Sequence, residues 1–399
     1  MMKKQYPLEG LRVLDLSRVL AGPYCTMMLG DLGAEIIKIE APGVGDDARA
    51  FGPFVGEESA YFMSLNRNKK SLTLNLKNEA GKEIFKQLVR QADVVVENYR
   101  PGTMEKLGLG YDLLAALNPR LIYAAISGFG NTGPYRQKAA YDVVVQGMGG
   151  IMSITGFPDG LPTRVGASIG DINAALFGTI GLLAALNRRN ITGLGQMVDV
   201  AMLDCQVAML ENAITRYEVT GDVPKRLGNR HPSITPFTAV AALDGHMVLA
   251  IGNDHLWGQF CTLVNRPDLV TDPLYRNNRA RTENWTTLEP LLEVIFRQRT
   301  IAEWIAALES IGVPCGPINT IDKVLQDPQV LARNMIEEAV HPLAGKMRMA
   351  GSPIKLSDAP ELVVREPAPT LGQHSAEILT ELLGLDAAAI RILQEKGAI

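Results

Sequence analysis

The chain has 399 residues, 47% of them hydrophobic and 21% charged, with a net charge of −4. That length exceeds what a single core usually holds, so two domains are expected. The mild acidity argues against a nucleic-acid binder, which would carry a basic stripe, but leaves room for a local cationic pocket.

Along the chain, the N-terminal run MMKKQYPLEG contains two lysines but no apolar stretch, so no secretory signal is read. Short β-like runs then alternate with helical patterns, the signature of a doubly wound parallel sheet. Strands are predicted at 11–16, 35–40, 71–76, 94–97 and 121–127, with helices at 23–32, 78–91 and 111–117. Pro23 suits a first helical turn and Gly33 a C-terminal stop. The Gly- and Pro-rich stretch 128–170 reads as functional loops. Apolar helices are predicted at 172–187 and about 199–219. In the second, Met202, Leu203, Val207, Met209 and Leu210 are spread almost all round, which predicts burial on every side. A boundary is placed near 221–236, followed by a hairpin over 237–252 turning at Asp244-Gly245. Helices near 254–264, 287–297 and 301–310 and a β-like 314–318 complete an α+β unit. From about 327 come a linker, a β segment at 346–349 and a helix pair at 375–383 and 386–396. The apolar runs are interrupted short of the ~18 residues a bilayer requires, so no membrane span is predicted.

Cys25, Cys205, Cys261 and Cys315 form no CxxC pair and read as reduced thiols of a cytoplasmic protein. The five histidines, at 231, 246, 255, 341 and 374, lack HxxxH or HExxH spacing, so no metal site is expected. Gly128-Phe129-Gly130-Asn131-Thr132-Gly133 matches GxGxxG after a strand. Pro134-Tyr135-Arg136 follows without helical periodicity, so the nucleotide-cradling helix is missing and dinucleotide binding is not inferred. Lys77, Asn98-Tyr99-Arg100 and Lys106 gather near the carboxyl ends of strands, where open α/β sheets bind ligands. Together they suit a phosphate-bearing ligand; singly, each reads as a solvated surface residue. Arg230-His231 opens the second unit, either as a carboxylate clamp or as a polar interdomain turn. Gly170-Asp171-Ile172-Asn173 stands where a Gly-rich loop enters an apolar helix. Asp171 there is either a helix N-cap or a carboxylate nucleophile that needs no activating base, with N–H groups of the following helix stabilising an oxyanion.

Several ordered segments resemble family III CoA-transferases over nearly the whole chain: Leu8–Asp15, Ala21-Gly22-Pro23, 33–40, 94–98, 166–171, Gly193-Leu194-Gly195-Gln196 and 312–317. This group includes formyl-CoA transferase, the carnitine CoA-transferase and the 2-methylacyl-CoA racemases. The resemblance implies an α/β fold: a Rossmann-like large domain built from both chain ends, plus a smaller central α+β domain, in an interlocked homodimer. The corresponding divisions are 1–200 and 346–399 for the large domain, 201–223 for a linker helix, 224–322 for the small domain and 323–345 for a second linker. It further implies that Asp171 is the nucleophile, that Val19, Leu20, Lys77, Asn98, Tyr99, Lys106 and Lys138 bind coenzyme A, and that Tyr141, Asp142, Arg230 and His231 lie toward the substrate. An acyl-CoA thioester and small carboxylic acids are the implied partners. No permanently bound cofactor, metal, nucleic acid or membrane is implied.

Two positions depart from parts of the family. Ala41 stands where some members have an arginine after Lys-Ile-Glu, and Leu20 replaces the glutamine of formyl-CoA transferase. The 228–237 segment is instead similar to members that move CoA between dicarboxylic acids such as succinate. A racemase or epimerase is the alternative, but it needs a second base, and its histidine position is occupied by Tyr141. A CoA-binding protein without turnover is the other alternative.

Overall fold

Alternation of apolar side chains builds the central sheet. Val13 and Leu14 point to opposite faces of their strand, as do Val94 and Val95, because successive strand residues alternate. The computed structural model describes residues 5–399, so the reading of the Met-Met-Lys-Lys terminus lies outside them. Six strands, β1 (Arg12–Asp15), β2 (Glu35–Glu40), β3 (Lys69–Thr73), β4 (Val94–Glu97), β5 (Ile122–Ser127) and β6 (Met197–Ala201), form a sheet in the order β3-β2-β1-β4-β5-β6. Every pairing is parallel. This is the doubly wound order, and it reverses between β1 and β4. On one face Leu14, Ile37, Leu72 and Val95 pack with Phe85, Leu88 and, from the C-terminal helices, Leu379 and Ile390. On the other, Val13, Ile36, Val94 and Ile122 pack with Cys25, Leu29, Ala174 and Leu182.

This sheet belongs to a compact unit made of the chain up to Ile151, Val165–Glu211 and Pro328–Ile399. The C-terminal helices Ser375–Leu383 and Ala387–Glu395 return to β3: Asn75 N–H donates to the Ala398 carbonyl at 2.8 Å. A second unit comprises Met152–Arg164 and Asn212–Asp327. In it the hairpin Phe237–Ala241/His246–Ala250 pairs antiparallel with Cys315–Pro317, over a core containing Trp257, Phe260, Phe296 and Trp304. Arg281 is fully buried there, donating to the Thr235 and Tyr275 carbonyls and to Asp254.

The structure departs from the sequence reading in four places. β3 runs from Lys69 to Thr73 rather than over 71–76, because its polar start is buried and paired instead of solvated. The apolar stretch read as a helix over about 199–219 begins as strand β6, continues as the helix Met202–Ala208, breaks at Glu211 with φ 55° and resumes as Ala213–Thr220. An apolar run alone does not separate strand from helix; pairing with Tyr123–Ser127 decides it. The loop stretch 128–170 contains a helix, Asp142–Met148. Finally, the helix read at 172–187 spans Ile169–Thr192 and passes unbroken through Gly178 and Gly181. By length and composition alone it is the one described helix able to cross a membrane. Here Gly178 instead lets it approach β5, where a Cβ would meet the Ile126 side chain at 2.9 Å.

Candidate active site

The crevice lies where the strand order reverses, beyond the carboxyl ends of β1 and β4. The segment leaving β1 makes a tight turn into the helix Ala21–Asp31. Gly22 is required at its start, because a Cβ there would lie 2.1 Å from Ser17 Cβ. Asn98, leaving β4, bridges to this turn: Arg18 N–H donates to Asn98 Oδ1 at 2.8 Å, and Asn98 Nδ2 donates to the Arg18 carbonyl at 2.7 Å. Both amide atoms of Asn98 are therefore spent on backbone. Tyr99 N–H donates to Glu97 at 2.6 Å, and the Arg18 guanidinium lies 5.1 Å from the Tyr99 ring centroid.

A cavity of about 270 Å³ opens there, with Val19, Leu20, Asn98, Tyr99, Lys138, Tyr141 and Asp171 on its walls. A larger neighbouring cavity, about 530 Å³, shares Arg18 and Tyr99 with it and is lined by Lys77, Asn75 and Ala41. Lys106 is exposed and lines neither cavity, although Thr103 and Leu107 beside it line the larger one. Lys138 sits over the Tyr135 ring, 3.6 Å from its centroid. Arg230 and His231 belong to the second unit. There Arg230 stacks 4.9 Å from the Trp285 centroid, and His231 Nδ1 accepts the Ser233 N–H at 3.1 Å.

Asp171 occupies the first turn of the Ile169–Thr192 helix and is not its N-cap, which is Ser168. Among the described residues its side chain has no hydrogen-bond or ion-pair partner. The N–H of Ile172 is spent on the Ser168 carbonyl at 3.0 Å, so the donor expected just after Asp171 is already consumed. Free donors lie elsewhere on the cavity wall. In the turn that follows β1, the N–H groups of Leu20, Ala21 and Gly22 have no partner among the described residues, and Leu20 and Ala21 line the cavity that holds Asp171. Together with the positive end of the Ala21–Asp31 helix they can stabilise an oxyanion.

Burial, reinforced by the neighbouring charge of Asp142, pushes the Asp171 carboxyl up to about 7. Asp142 is itself buried and well held: its Oδ1 accepts the Gly170 N–H at 2.8 Å, and its Oδ2 accepts from Gln146 at 2.8 Å. Gly170 is needed for this contact, since a Cβ would fall 2.7 Å from Val145 Cγ2. Asp142 thus anchors the helix start and charges the surroundings of Asp171, while Tyr141 stands mostly exposed beside it. Sequence reasoning missed Tyr61. Burial and then the charge of Asp171 push its hydroxyl up to about 12, so it is a protonated donor within electrostatic reach. No local pattern flags it, because it lies on the short helix Ala60–Leu65, distant in sequence. Arg18, which lines both cavities, was also missed.

Comparison with known proteins gives a consistent set of relatives. The family model described as CoA-transferase family III matches residues 8–375. An acetyl-CoA:oxalate CoA-transferase of Acetobacter aceti is 44% identical over 96% of this chain and 98% of that enzyme. A succinyl-CoA:glutarate CoA-transferase of Mus musculus is 42% identical over 98% of this chain and 90% of that enzyme. A crystal structure of a CaiB/BaiF family protein from Brucella suis superposes with a TM-score of 0.83 at 42% identity, covering 95% of this chain and all of that one.

Proposed function

The chain belongs to CoA-transferase family III, and from that premise we propose that it moves CoA from an acyl-CoA thioester to a free carboxylic acid through Asp171. The observation that carries this reading is a carboxyl with no partner among the described residues, pushed up to about 7, in one cavity with residues whose backbone N–H groups are free. A carboxyl in that setting is a nucleophile in a site that has left it unpaired. The acids named for the relatives, oxalate and glutarate, are dicarboxylic. A dicarboxylate such as succinate, glutarate or mesaconate is accordingly the proposed acid.

The chemistry balances without an external acid or base. Asp171 attacks the thioester carbonyl; the C–S bond breaks, giving a mixed anhydride and CoA thiolate. The thiolate attacks the aspartyl carbonyl, the donor acid leaves as carboxylate, and Asp171 carries CoA as a thioester. The acceptor carboxylate attacks that thioester and expels the thiolate. The thiolate then attacks the acceptor acyl carbon, releasing acyl-CoA and the Asp171 carboxylate. In each tetrahedral intermediate the negative oxygen is stabilised by the Leu20–Gly22 N–H groups. Arg18, Lys77, Arg136 and Lys138 are proposed to hold the phosphates of CoA, with the Val19-Leu20 turn and Tyr99 along its length and Lys106 at its margin. Arg230 and His231 are proposed as carboxylate-binding residues of the second unit.

An interlocked cytoplasmic homodimer is part of the same proposal. Leu176, Phe177, Ile180 and Leu183 on one helix, and Val143, Val144 and Met148 on another, expose apolar side chains on the unit that holds Asp171. All four cysteines are free thiols. A dimer mass in solution is expected by light scattering, and a monomer would remove this part.

Incubation with succinyl-CoA, borohydride reduction and peptide mapping test the mechanism. Asp171 reduced to its alcohol supports it. An untouched Asp171 in protein that binds CoA and inverts 2-methylacyl-CoA favours the racemase, and binding with neither reaction favours a carrier without turnover.

A further inference from the structure

Val19 has φ 66°, a left-handed backbone conformation that a β-branched residue rarely adopts. Holding it there costs on the order of 1–3 kcal/mol unless the surroundings fix it. They do so at five backbone groups in a row. Ser17 N–H donates to Asp15 at 2.9 Å, and the Ser17 carbonyl accepts from Lys38 Nζ at 2.8 Å. Arg18 N–H and carbonyl are both bound by Asn98. Val19 N–H donates to Asp46 Oδ1 at 3.0 Å.

The last of these groups is anchored in depth. Asp46 Oδ2 pairs with Lys38 Nζ at 2.8 Å, both side chains being fully buried. Asp46 N–H donates to Glu40 at 3.0 Å, and Glu40 is gripped by Arg49 through two contacts of 2.8 Å and by Ser71 at 2.6 Å. Asp46 therefore reaches from a rigid, paired network to the one strained residue of the turn. Beyond that residue come the free N–H groups of Leu20, Ala21 and Gly22.

We infer that Asp46, backed by Lys38, is a positioning residue that locks Val19 in its left-handed conformation and so aims the Leu20–Gly22 donors at the carbonyl attacked by Asp171. This rests on the reading under Proposed function for its chemistry and on the geometry above for the clamp. A displaced donor of this kind costs on the order of 10²-fold in rate. Lys38 and Asp46, fully buried in the wall of the larger cavity, act through the turn and not on the reacting atoms.

Two readouts separate the clamp from the chemistry: the rate of Asp171–CoA thioester formation at saturating succinyl-CoA, and backbone amide exchange in peptides covering 16–24. In Asp46→Ala, thioester formation is expected to slow on the order of 10²-fold with little change in KM, and exchange to accelerate. Asp46→Asn retains an oxygen for the Val19 N–H and is expected to recover most of the rate. Glycine adopts a positive φ freely, so in a Val19→Gly background the further loss from Asp46→Ala should shrink to less than about tenfold. A purely structural role predicts equal losses for the Ala and Asn variants and the same loss in either background, and that pattern overturns the inference. Unchanged exchange in Asp46→Ala overturns it as well. Should Asp46→Ala not fold, Asp46→Asn and Val19→Gly decide by the same comparison of rate and exchange. Wild-type protein that forms no Asp171 adduct sinks the transferase reading, while the exchange data still decide the clamp.

Discussion

Asp15 and Asp171 lie in one structural unit, both shielded from water, and their carboxyls are driven in opposite directions. Burial alone would raise Asp15, but Lys69 and Lys38 override it and hold the group down to about 2. Lys69 reaches it at 3.0 Å and also binds Thr26, Asn66 and the Pro23 carbonyl. Asp171 has no ion-pair partner among the described residues; burial and then a second aspartate push it up to about 7. The same side chain is scaffold where opposite charges close around it and the proposed reagent where it has a like charge beside it and lines a cavity.

Removing the reagent should have the largest effect. Asp171→Asn is expected to lose more than about 10³-fold in CoA exchange, assayed with succinyl-CoA and an acceptor acid. Its stability should move the other way. The Asp171 carboxyl, raised in the folded protein, holds its proton more tightly than in the unfolded chain, so it lowers stability as pH rises from 3.8 toward 7. The Asn variant should therefore melt higher than wild type at pH 8, with the gap closing toward pH 4. A lower melting point at pH 8 would erase the contrast between the two aspartates.

Breaking the scaffold comes next. Lys69→Met strips Asp15 of its nearest cation, and removing one partner of a buried pair costs about 3–5 kcal/mol, read as a fall in the urea midpoint. The depressed Asp15 carboxyl contributes stability above its usual 3.8 that is lost as pH falls toward 2. In the variant this acid loss should begin at higher pH. An unchanged midpoint would mean that the lysine cluster is solvated in practice.

The subtlest test converts one environment toward the other. Asp142→Asn keeps an oxygen for the Gly170 N–H but deletes the like charge, so the Asp171 carboxyl should drop. The acid limb of kcat/KM, expected near pH 7 in the wild type, then moves to lower pH, and activity at pH 6 rises relative to pH 8. A profile that does not move would assign the raised value to burial alone.

Much of the site was legible in the residues. Asp171 stood out from its Gly-rich entry into an apolar helix, and Asn98 and Tyr99 from their place at a strand end. Tyr61 and Arg18 were not legible, because nothing in their local pattern relates them to residue 171. The donors were misplaced for a similar reason. A helix start one turn earlier consumes the N–H after Asp171, and boundaries of that size lie below what periodicity resolves. Nothing in the local pattern marks Lys38 or Lys69 as buried, although both are.

The sequence by itself determined the alternation that makes a parallel sheet, the helices on both of its faces, and the family resemblance that the comparisons support. Those follow from short-range periodicity and ordered motifs, which are properties of the chain in one dimension. Tertiary structure alone decided which aspartate is neutralised and which is exposed to a like charge, and which free N–H groups share its cavity. Both depend on distances between residues dozens to hundreds of positions apart, and on the water excluded between them. That exclusion gives each nearby charge its weight.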